Sequence, residues 1–465
     1  MTLQLSKITK IFLIKLCYSL LFLQTNYAQT TAIHEDNTQS RLQQGFPVVT
    51  NNIRTAFFSK NNEILNFPIL KLYESETILL EFDDLYSDQI RDYQFTLIHC
   101  DQNWEKSDLS QYDYLEGYPN EYITDYEYSV NTLVPYIHYR AEIPGQNLKI
   151  TKSGNYLLRV FLNDPEEIIL QLRLYVIDEK VEISGKIINP VNSAKRFTHQ
   201  EISFTIKLNQ IQIYNPNEEV KLSIIQNYLI EEAITDLRPK SYRSELLDYT
   251  FNSKSIFEAA NEFRFIDLRT LKQRTINTKE LDQLSDHYKL TEWPIELRGR
   301  TPYQYSQDIN GQFVIESYDV NRVSTEADYA LVDLQIPIPK LLNEDLFLSG
   351  GFTNTMLRNE TRFKYDFNDN SYKLSLFLKQ GYYNYQLYTM DTSGTKSKKI
   401  DGSFYETENE YFIFVYQPFL KRIDKFQRKS LDRSIEQRII WASMLLEVSN
   451  TKSTSMPRAV VSRQV

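Results

Sequence analysis

Three residues that could take part in catalysis stand side by side at His99, Cys100 and Asp101. A cysteine nucleophile needs a base within hydrogen-bond reach of its sulfur. Phe95, Leu97 and His99 alternate as in a strand, where successive side chains point to opposite faces. We therefore expect His99 and Cys100 on opposite faces, which argues against a catalytic pair between them. A pair between Cys100 and a histidine distant in sequence remains open.

Other motifs that carry chemistry are missing or incomplete. The sequence has no G-x-S-x-G, P-loop, G-x-G-x-x-G or H-E-x-x-H pattern. Residues 366–370 imitate the start of a calcium loop, but Ser371 and Phe377 stand where such a loop needs glycine and glutamate. The carboxylates of "ETENEY" at 406–411 could serve glycoside hydrolysis, although a charged strand flank has the same composition. We expect no catalytic residues, metal site or cofactor.

The first 28 residues are typical of a secretory signal peptide. Lys7, Lys10 and Lys15 precede or interrupt a mostly apolar run at 11–23, and Ala28 offers a small residue for cleavage. Without this segment the net charge of −9 becomes −12 and Cys100 is the one remaining cysteine. The negative charge argues against nucleic acid as a partner. No other apolar run reaches the roughly 18 residues of a membrane-spanning helix, so we expect an exported protein without a membrane span.

Apolar and polar residues alternate along many short segments, including 78–82, 170–176 and 372–378. This period of two is typical of half-buried strands, and turn signals such as 163–165 and 310–311 separate the segments. The sequence therefore predicts an all-β fold of tandem immunoglobulin-like antiparallel β-sandwich domains. Residues 277–288 are predicted to form a short helix.

Changes in pattern divide the chain into six predicted parts. These are the signal peptide 1–28, a flexible start 29–44, sandwiches at 45–180, 181–320 and 321–420, and a basic tail 421–465. The tail has ten Lys or Arg against four Asp or Glu. Its apolar spacing from Phe419 to Trp441 suits an amphipathic helix for a membrane surface or a partner. A solvated, disordered tail is the alternative.

Six segments, read in order, resemble the plug protein family of the bacterial type IX secretion system. They are "HCDQNWEKSDLSQYDYLEGY", "ITDYEYSVNTLVPYIHYRAEIP", "KITKSGNYLLRVF", "NEFRFIDLRT", "LKQGYYNYQLY" and "YETENEYFIFVY". The resemblance covers about residues 45–416, and the basic tail departs from it. It implies a periplasmic protein, monomeric on its partner, that binds the large outer-membrane β-barrel translocon and closes its periplasmic opening when no substrate is engaged.

The first of these segments carries our candidates for partner binding. Trp104, Tyr112, Tyr114 and Tyr118 follow a predicted strand in a loop-like region. Amphipathic aromatic side chains in such a position could anchor an interface. Alternatively, they cover the end of the first sandwich core.

A second resemblance suggests a different function. "DLFLSGGFTNTM" at 345–356, followed by "YKLSLFLKQGYYNYQLY" at 372–388, resembles early-set immunoglobulin-like modules that bind glucans. Those modules carry a tryptophan after the G-x-F-N turn, where this chain has Thr355 and Met356. The alternative function is therefore that of a periplasmic carbohydrate-binding sandwich protein, weakened by the missing aromatic ring.

Overall fold

Strands dominate the computed structural model, which describes residues 41–419 except 43, 51, 62, 66, 210 and 244, together with 436–441 and 446–447. Up to residue 180 the strands are β1 (Val48–Val49), β2 (Ile53–Lys60), β3 (Glu63–Leu65), β4 (Ile69–Lys71), β5 (Ile78–Leu85), β6 (Gln94–Cys100), β7 (Leu115–Gly117), β8 (Asn120–Tyr122), β9 (Asp125–Tyr128), β10 (Tyr136–Ile143), β11 (Leu148–Ile150), β12 (Gly154–Phe161) and β13 (Ile168–Glu179). The next are β14 (Glu182–Ile188), β15 (His199–Lys207), β16 (Lys221–Gln226), β17 (Ser241–Arg243), β18 (Leu246–Asp248), β19 (Ile256–Glu258), β20 (Arg264–Asp267), β21 (Thr278–Gln283) and β22 (Tyr288–Glu292). The last are β23 (Phe313–Val314), β24 (Tyr329–Ile336), β25 (Glu344–Ser349), β26 (Lys364–Asp366), β27 (Ser371–Lys379), β28 (Tyr382–Asp391), β29 (Lys396–Ser397), β30 (Glu410–Phe419), β31 (Glu436–Trp441) and β32 (Leu446–Glu447). Short helical turns cover Gln111–Tyr114, Ser193–Lys195, Pro216–Glu219, Ile230–Glu232, Val323–Glu326, Gly351–Thr353 and Asn359–Thr361.

The first sandwich encloses a core between two sheets. One is a ten-stranded sheet with the order β16-β30-β31-β13-β12-β6-β8, in which β1 and β4 also pair with β13 and β32 pairs with β30. The other has the order β3-β2-β5-β10-β9. Ile78, Leu80 and Phe82 of β5 point into this core, opposite Leu172 and Leu174 of β13. The alternation predicted from sequence places these side chains correctly.

Two further cores lie along the chain. One is formed by the sheet β14-β15-β18-β17, with β19 beside β15, together with β16 and β30. The other lies between the sheet β20-β28-β23, to which β25 and β29 add, and the sheet β21-β22-β24-β27-β26. The all-β prediction of stacked sandwiches is confirmed. The immunoglobulin-like strand order and the dividing points at 180 and 320 stay predictions.

Strand β13 is buried on both faces, whereas the sequence pattern predicts burial on one. Its alternate face carries Tyr175 and Ile177, which pack against Phe67 and against Phe414 of β30 in a separate apolar cluster. The Tyr175 and Phe414 rings stack with centroids 4.3 Å apart. Because the neighbouring residues of β30 fill the second core, this strand joins the first sandwich to the second.

A buried ion pair joins the first sandwich to the third. Lys379, at the end of β27, places its Nζ 2.7 Å from the carboxylate of Asp83 on β5, and each side chain is only 1% exposed. The same carboxylate accepts hydrogen bonds from Tyr329 Oη at 2.6 Å and pairs with His138 Nδ1 at 2.7 Å. The Lys379 ammonium also lies 4.1 Å from the centroid of the Tyr136 ring. Each charge at this joint thus has several partners.

The partners keep the buried carboxylate ionised. Burial acts to raise the pKa of Asp83, but the Lys379 ammonium and the His138 imidazole outweigh it, and the pKa lies below its ordinary value. A second carboxylate, Asp328, accepts hydrogen bonds from the backbone N–H groups of Leu133 at 2.6 Å and Val134 at 3.1 Å. The joint therefore combines side-chain and backbone contacts between two sandwiches.

Two local helix predictions have different outcomes. The short helix at 277–288 is wrong, because these residues form β21 and the start of β22, which pair as antiparallel strands with Leu281 opposite Leu290. Strand β22 also pairs with β24, and this tertiary pairing overrides the helix propensity of a Lys-, Glu- and Leu-rich segment. Most of the predicted C-terminal helix lies outside the described residues. Its described residues 436–441 form a strand that pairs with β30, and residues 446–447, further along the tail, also pair with β30.

We expect Asp83→Asn to lower the free energy of unfolding by about 3–5 kcal/mol, because it leaves a buried ammonium without its carboxylate. Adding Lys379→Met should restore much of the loss, since no buried charge then remains unpaired. Urea unfolding of the purified chain, followed by circular dichroism, measures both effects. Lys373→Met is the control, because its pair with Asp366 lies at the surface, where water and salt screen the attraction, so the free energy of unfolding should stay close to that of the wild type. An Asp83→Asn protein with the stability of the control would contradict the expectation.

Candidate functional site

Exposed tyrosines line one side of the first sandwich. Residues 112–128 contain six tyrosines, and five of them, Tyr112, Tyr118, Tyr122, Tyr126 and Tyr128, are exposed. Strand β8 is the edge of the ten-stranded sheet and β9 is the edge of the facing five-stranded sheet. Since two residues connect β8 to β9, both edges lie on the same side of the sandwich. We call the surface formed by these five side chains the tyrosine edge.

Local turns and buried anchors hold the tyrosine edge in place. The helical turn Gln111–Tyr114 begins after Ser110, whose backbone N–H donates to the Asp113 carboxylate at 2.9 Å. Gly117 then adopts φ +100°, where a Cβ atom would approach the Asn147 carbonyl oxygen to 1.9 Å. Leu115 and Ile123 enter the first core. The tyrosines between these anchors consequently face solvent.

The structure separates the four aromatic residues that the sequence singles out. Tyr112 and Tyr118 are 82% and 70% exposed, whereas Trp104 and Tyr114 are 5% and 3% exposed. Tyr114 packs against the rings of His99 and Tyr156 inside the first core. A direct contact with a partner stays a prediction for the exposed pair, and the buried pair occupies the packing positions of the alternative interpretation. Sequence alone missed Tyr122, Tyr126 and Tyr128, although the spacing of two between Tyr126 and Tyr128 on β9 was an available signal.

Trp104 closes the end of the sandwich beside β13. Its ring lies 5.0 Å from that of Tyr175 and 4.6 Å from the Arg173 guanidinium. Arg173 in turn donates to the Gly45 carbonyl oxygen at 2.8 Å and pairs with Glu231 at 2.6 Å. The indole therefore supports the same joint that connects the first two sandwiches.

The surface around the tyrosine edge is acidic. Residues 105–128 contain seven Asp or Glu and one Lys. Arg140 offsets part of this charge by pairing with Asp125 at 3.0 Å and Glu127 at 2.7 Å. A partner that presents basic or hydrogen-bonding groups would complement this surface.

The side-by-side His99 and Cys100 face different clusters, as the strand pattern predicts. The His99 ring packs in the first core, with Nδ1 2.9 Å from Ser107 Oγ and Nε2 3.2 Å from the Ser153 carbonyl oxygen. Cys100 points into the aromatic cluster behind β13. Burial raises the pKa of its thiol to about 12, which keeps the sulfur protonated and unreactive at neutral pH.

The glucan-like turn also packs inward. Phe352 lies 5.1 Å from the ring of Tyr383 and 6.5 Å from that of Phe313, both edge-on. A sugar ring needs an open aromatic face on which to stack, and this phenylalanine is engaged with the third core.

Within the described part of the chain, no cluster of three or more His, Cys, Asp or Glu side chains could hold a metal ion. Those residues also include no helix long and apolar enough to cross a membrane.

The protein belongs to the structural class of stacked, mainly antiparallel β-sandwiches. Residues 53–178, which run from the start of β2 to the last but one residue of β13, match the family described as Type 9 secretion system plug protein 1st domain. The sequence-based recognition of a type IX secretion system plug family is thereby confirmed. The match assigns the protein a role in type IX secretion and an association with the cell envelope. It contains the tyrosine edge and the Asp83 side of the buried joint.

One solved structure shows that the similarity extends beyond this first domain. The crystal structure of a hypothetical protein from Parabacteroides merdae ATCC 43184, at 2.30 Å resolution, is 28% identical to this chain with a TM-score of 0.80. The alignment covers 87% of this chain and 99% of the other. No curated protein matches the sequence. The arrangement of all three cores is thus shared with another chain.

We expect Trp104→Ala to lower the free energy of unfolding by about 3–5 kcal/mol, as for other buried aromatic side chains. Tyr112→Ser should change it by less than about 0.5 kcal/mol, because that ring makes few contacts within the chain. Urea unfolding of both variants compares them directly. A Trp104→Ala protein as stable as the Tyr112→Ser protein would contradict the packing role of the indole.

Proposed function

We propose that this protein is a periplasmic plug that binds the outer-membrane translocon barrel of the type IX secretion system and occludes its periplasmic opening when no substrate is engaged. The observation that carries the proposal is the match of residues 53–178 to the plug protein first domain. In this proposal the protein acts as a monomer on the translocon, is no enzyme, and needs no cofactor.

The joints between the sandwiches support occlusion. A body that blocks a wide pore must keep its shape against solutes and against moving cargo. The Tyr175–Phe414 stack and the Lys379–Asp83 pair each connect separate sandwiches through buried contacts. Bending at either joint would expose apolar rings or a charge that has lost its partner, and both are unfavourable.

The tyrosine edge supports reversible binding. Tyrosine offers a large contact area with a polar tip and few rotatable bonds, so it loses little conformational entropy on binding. Contacts of this kind at a wet, charged interface give affinities that allow release. We propose that Tyr112 and Tyr118, with their neighbours on β8 and β9, contact the translocon.

Isolation of the protein from detergent-solubilised envelopes should bring down one very large outer-membrane barrel. The combined variant Tyr112→Ser, Tyr118→Ser should weaken this association by about ten-fold or more if these rings are interface anchors. Added salt should weaken the association further, because it screens the attraction between this acidic surface and basic groups on the partner. Tyr214→Ser with Tyr305→Ser is the matched control, since both tyrosines are exposed but lie in other parts of the chain.

The possible outcomes distinguish the plug function from the role of the tyrosine edge. Absence of a large barrel from wild-type isolates would overturn the plug proposal itself. Equal recovery of the barrel with the edge variant and the control would keep the plug proposal and overturn the role of the tyrosine edge.

Deletion of the gene should make cells permeable to vancomycin-sized solutes, because an unoccupied pore wide enough for folded cargo cannot exclude them. Secretion itself should continue. Vancomycin sensitivity and the release of a secreted reporter measure the two effects, with a plasmid-borne wild-type copy as the control. A deletion strain that stays impermeable would contradict occlusion.

A further inference from the structure

A cavity of about 370 Å³ lies between the first and third sandwiches. This volume is within the range of small-molecule sites. Its wall is apolar over much of its area and is formed by Phe313, Ile315, Leu331, Phe352, Leu376 and Leu378. Three cationic side chains and one carboxylate also line it, namely Arg54, Arg358, Lys379 and Glu360. Basic groups therefore outnumber acidic ones in a largely apolar space.

A bulge in β2 forms the wall on the side of the first sandwich. The pairing of β2 with β5 passes from Arg54 opposite Asp83 to Phe57 opposite Glu81, so two residues of β2 face one of β5. Thr55, one of these two residues, has φ +51°, an uncommon value for a β-branched residue. Its hydroxyl lies 2.7 Å from Tyr329 Oη. Bulges of this kind are frequent beside functional sites because they redirect side chains.

Arg358 is the cation whose bonding is incomplete. One Nη2 bond reaches the Pro47 carbonyl oxygen at 2.8 Å and another reaches Met356 Sδ at 3.4 Å. Its Nε is buried and has no hydrogen-bond partner among the described residues. Burial lowers the pKa of Arg358 to about 10, and the nearby Arg41 guanidinium acts in the same direction. The Glu360 carboxylate opposes this effect, and its side chain is exposed.

We propose that this cavity binds an amphipathic anion, with a carboxylate on the Arg358 guanidinium and an apolar chain among the phenylalanine and leucine side chains. A guanidinium donates N–H groups to a carboxylate, and such charge-assisted hydrogen bonds are among the strongest in proteins. The ligand would give the incompletely bonded guanidinium an anionic partner and would remove apolar wall from water. Lys379 is already bound to Asp83, and Arg54 donates to the Ile53 carbonyl oxygen at 2.9 Å, so Arg358 is the head-group site.

Isothermal titration calorimetry of the full mature chain with dodecanoate tests the proposal. We expect saturable binding of one dodecanoate per chain, at least about ten-fold weaker binding of dodecanol, which lacks the charge, and no measurable heat from butyrate, which lacks the chain. Arg358→Met should weaken dodecanoate binding by about ten-fold or more while leaving the melting temperature equal to or above that of the wild type. Its stability should not fall, because the substitution removes a buried charge with an unpaired donor.

Two further variants test whether the ligand occupies this cavity. Ile315→Trp should block the apolar part of the cavity and abolish binding. Arg362→Met is the matched control, because this arginine is four residues away and pairs with Asp345 at the surface, so dodecanoate binding should be unchanged. Absence of saturable binding, equal affinity for dodecanol, or full affinity in Arg358→Met would each overturn the proposal. The result does not depend on the translocon, so it leaves the plug proposal untouched either way.

Discussion

The buried ion pair of Lys379 and Asp83 constrains how the first and third sandwiches meet. Removing two charges from water costs several kcal/mol per ion, so such a pair adds little stability compared with a well-packed apolar contact. It does impose geometry. The two carboxylate oxygens of Asp83 are shared among Lys379, Tyr329 and His138, and these donors come from both sandwiches. Because hydrogen bonds are directional, these contacts restrict the relative orientation of the two sandwiches.

The joint between the first and second sandwiches follows a different principle. Here Tyr175 and Ile177 of β13 meet Phe67 and Phe414 in an apolar cluster. Burial of these side chains supplies favourable free energy in proportion to the apolar area removed from water, but it is not directional. The two joints therefore complement each other, since one contributes stability and the other contributes orientation. A stack of sandwiches needs both if it is to behave as a single body.

Sequence reasoning succeeded where the physical signal is local. The alternation at Ile78, Leu80 and Phe82 correctly indicated a strand and its buried face, and the same argument separated His99 from Cys100. It failed where the signal is distant. Nothing near Asp83 indicates a lysine 296 positions away, and the alternation in β13 could not reveal a second partner for its outer face. The hairpin of β21 and β22 was missed for the same reason, because pairing with β24 decides its conformation.

The candidate surface shows the same limit. The sequence contains 33 tyrosines, but many of them, such as Tyr93, Tyr139 and Tyr156, are fully buried. A tyrosine-rich sequence is therefore no evidence of a binding surface until the strands are placed. Spacing placed Tyr112 and Tyr118 in a loop-like region but could not show that Trp104 and Tyr114 turn inward, because that depends on Arg173 and Tyr156 in other strands.

Rigidity and reversibility make opposite demands on a proposed plug, and the structure meets them in different places. The apolar and charged contacts that resist deformation lie between sandwiches, away from solvent. The exposed tyrosines lie at a sheet edge among seven carboxylates, where contacts stay hydrated and sensitive to salt. Because the two sets of residues do not overlap, affinity for a partner can be tuned at the edge without loosening the body. A single apolar face serving both purposes would either bind permanently or bend.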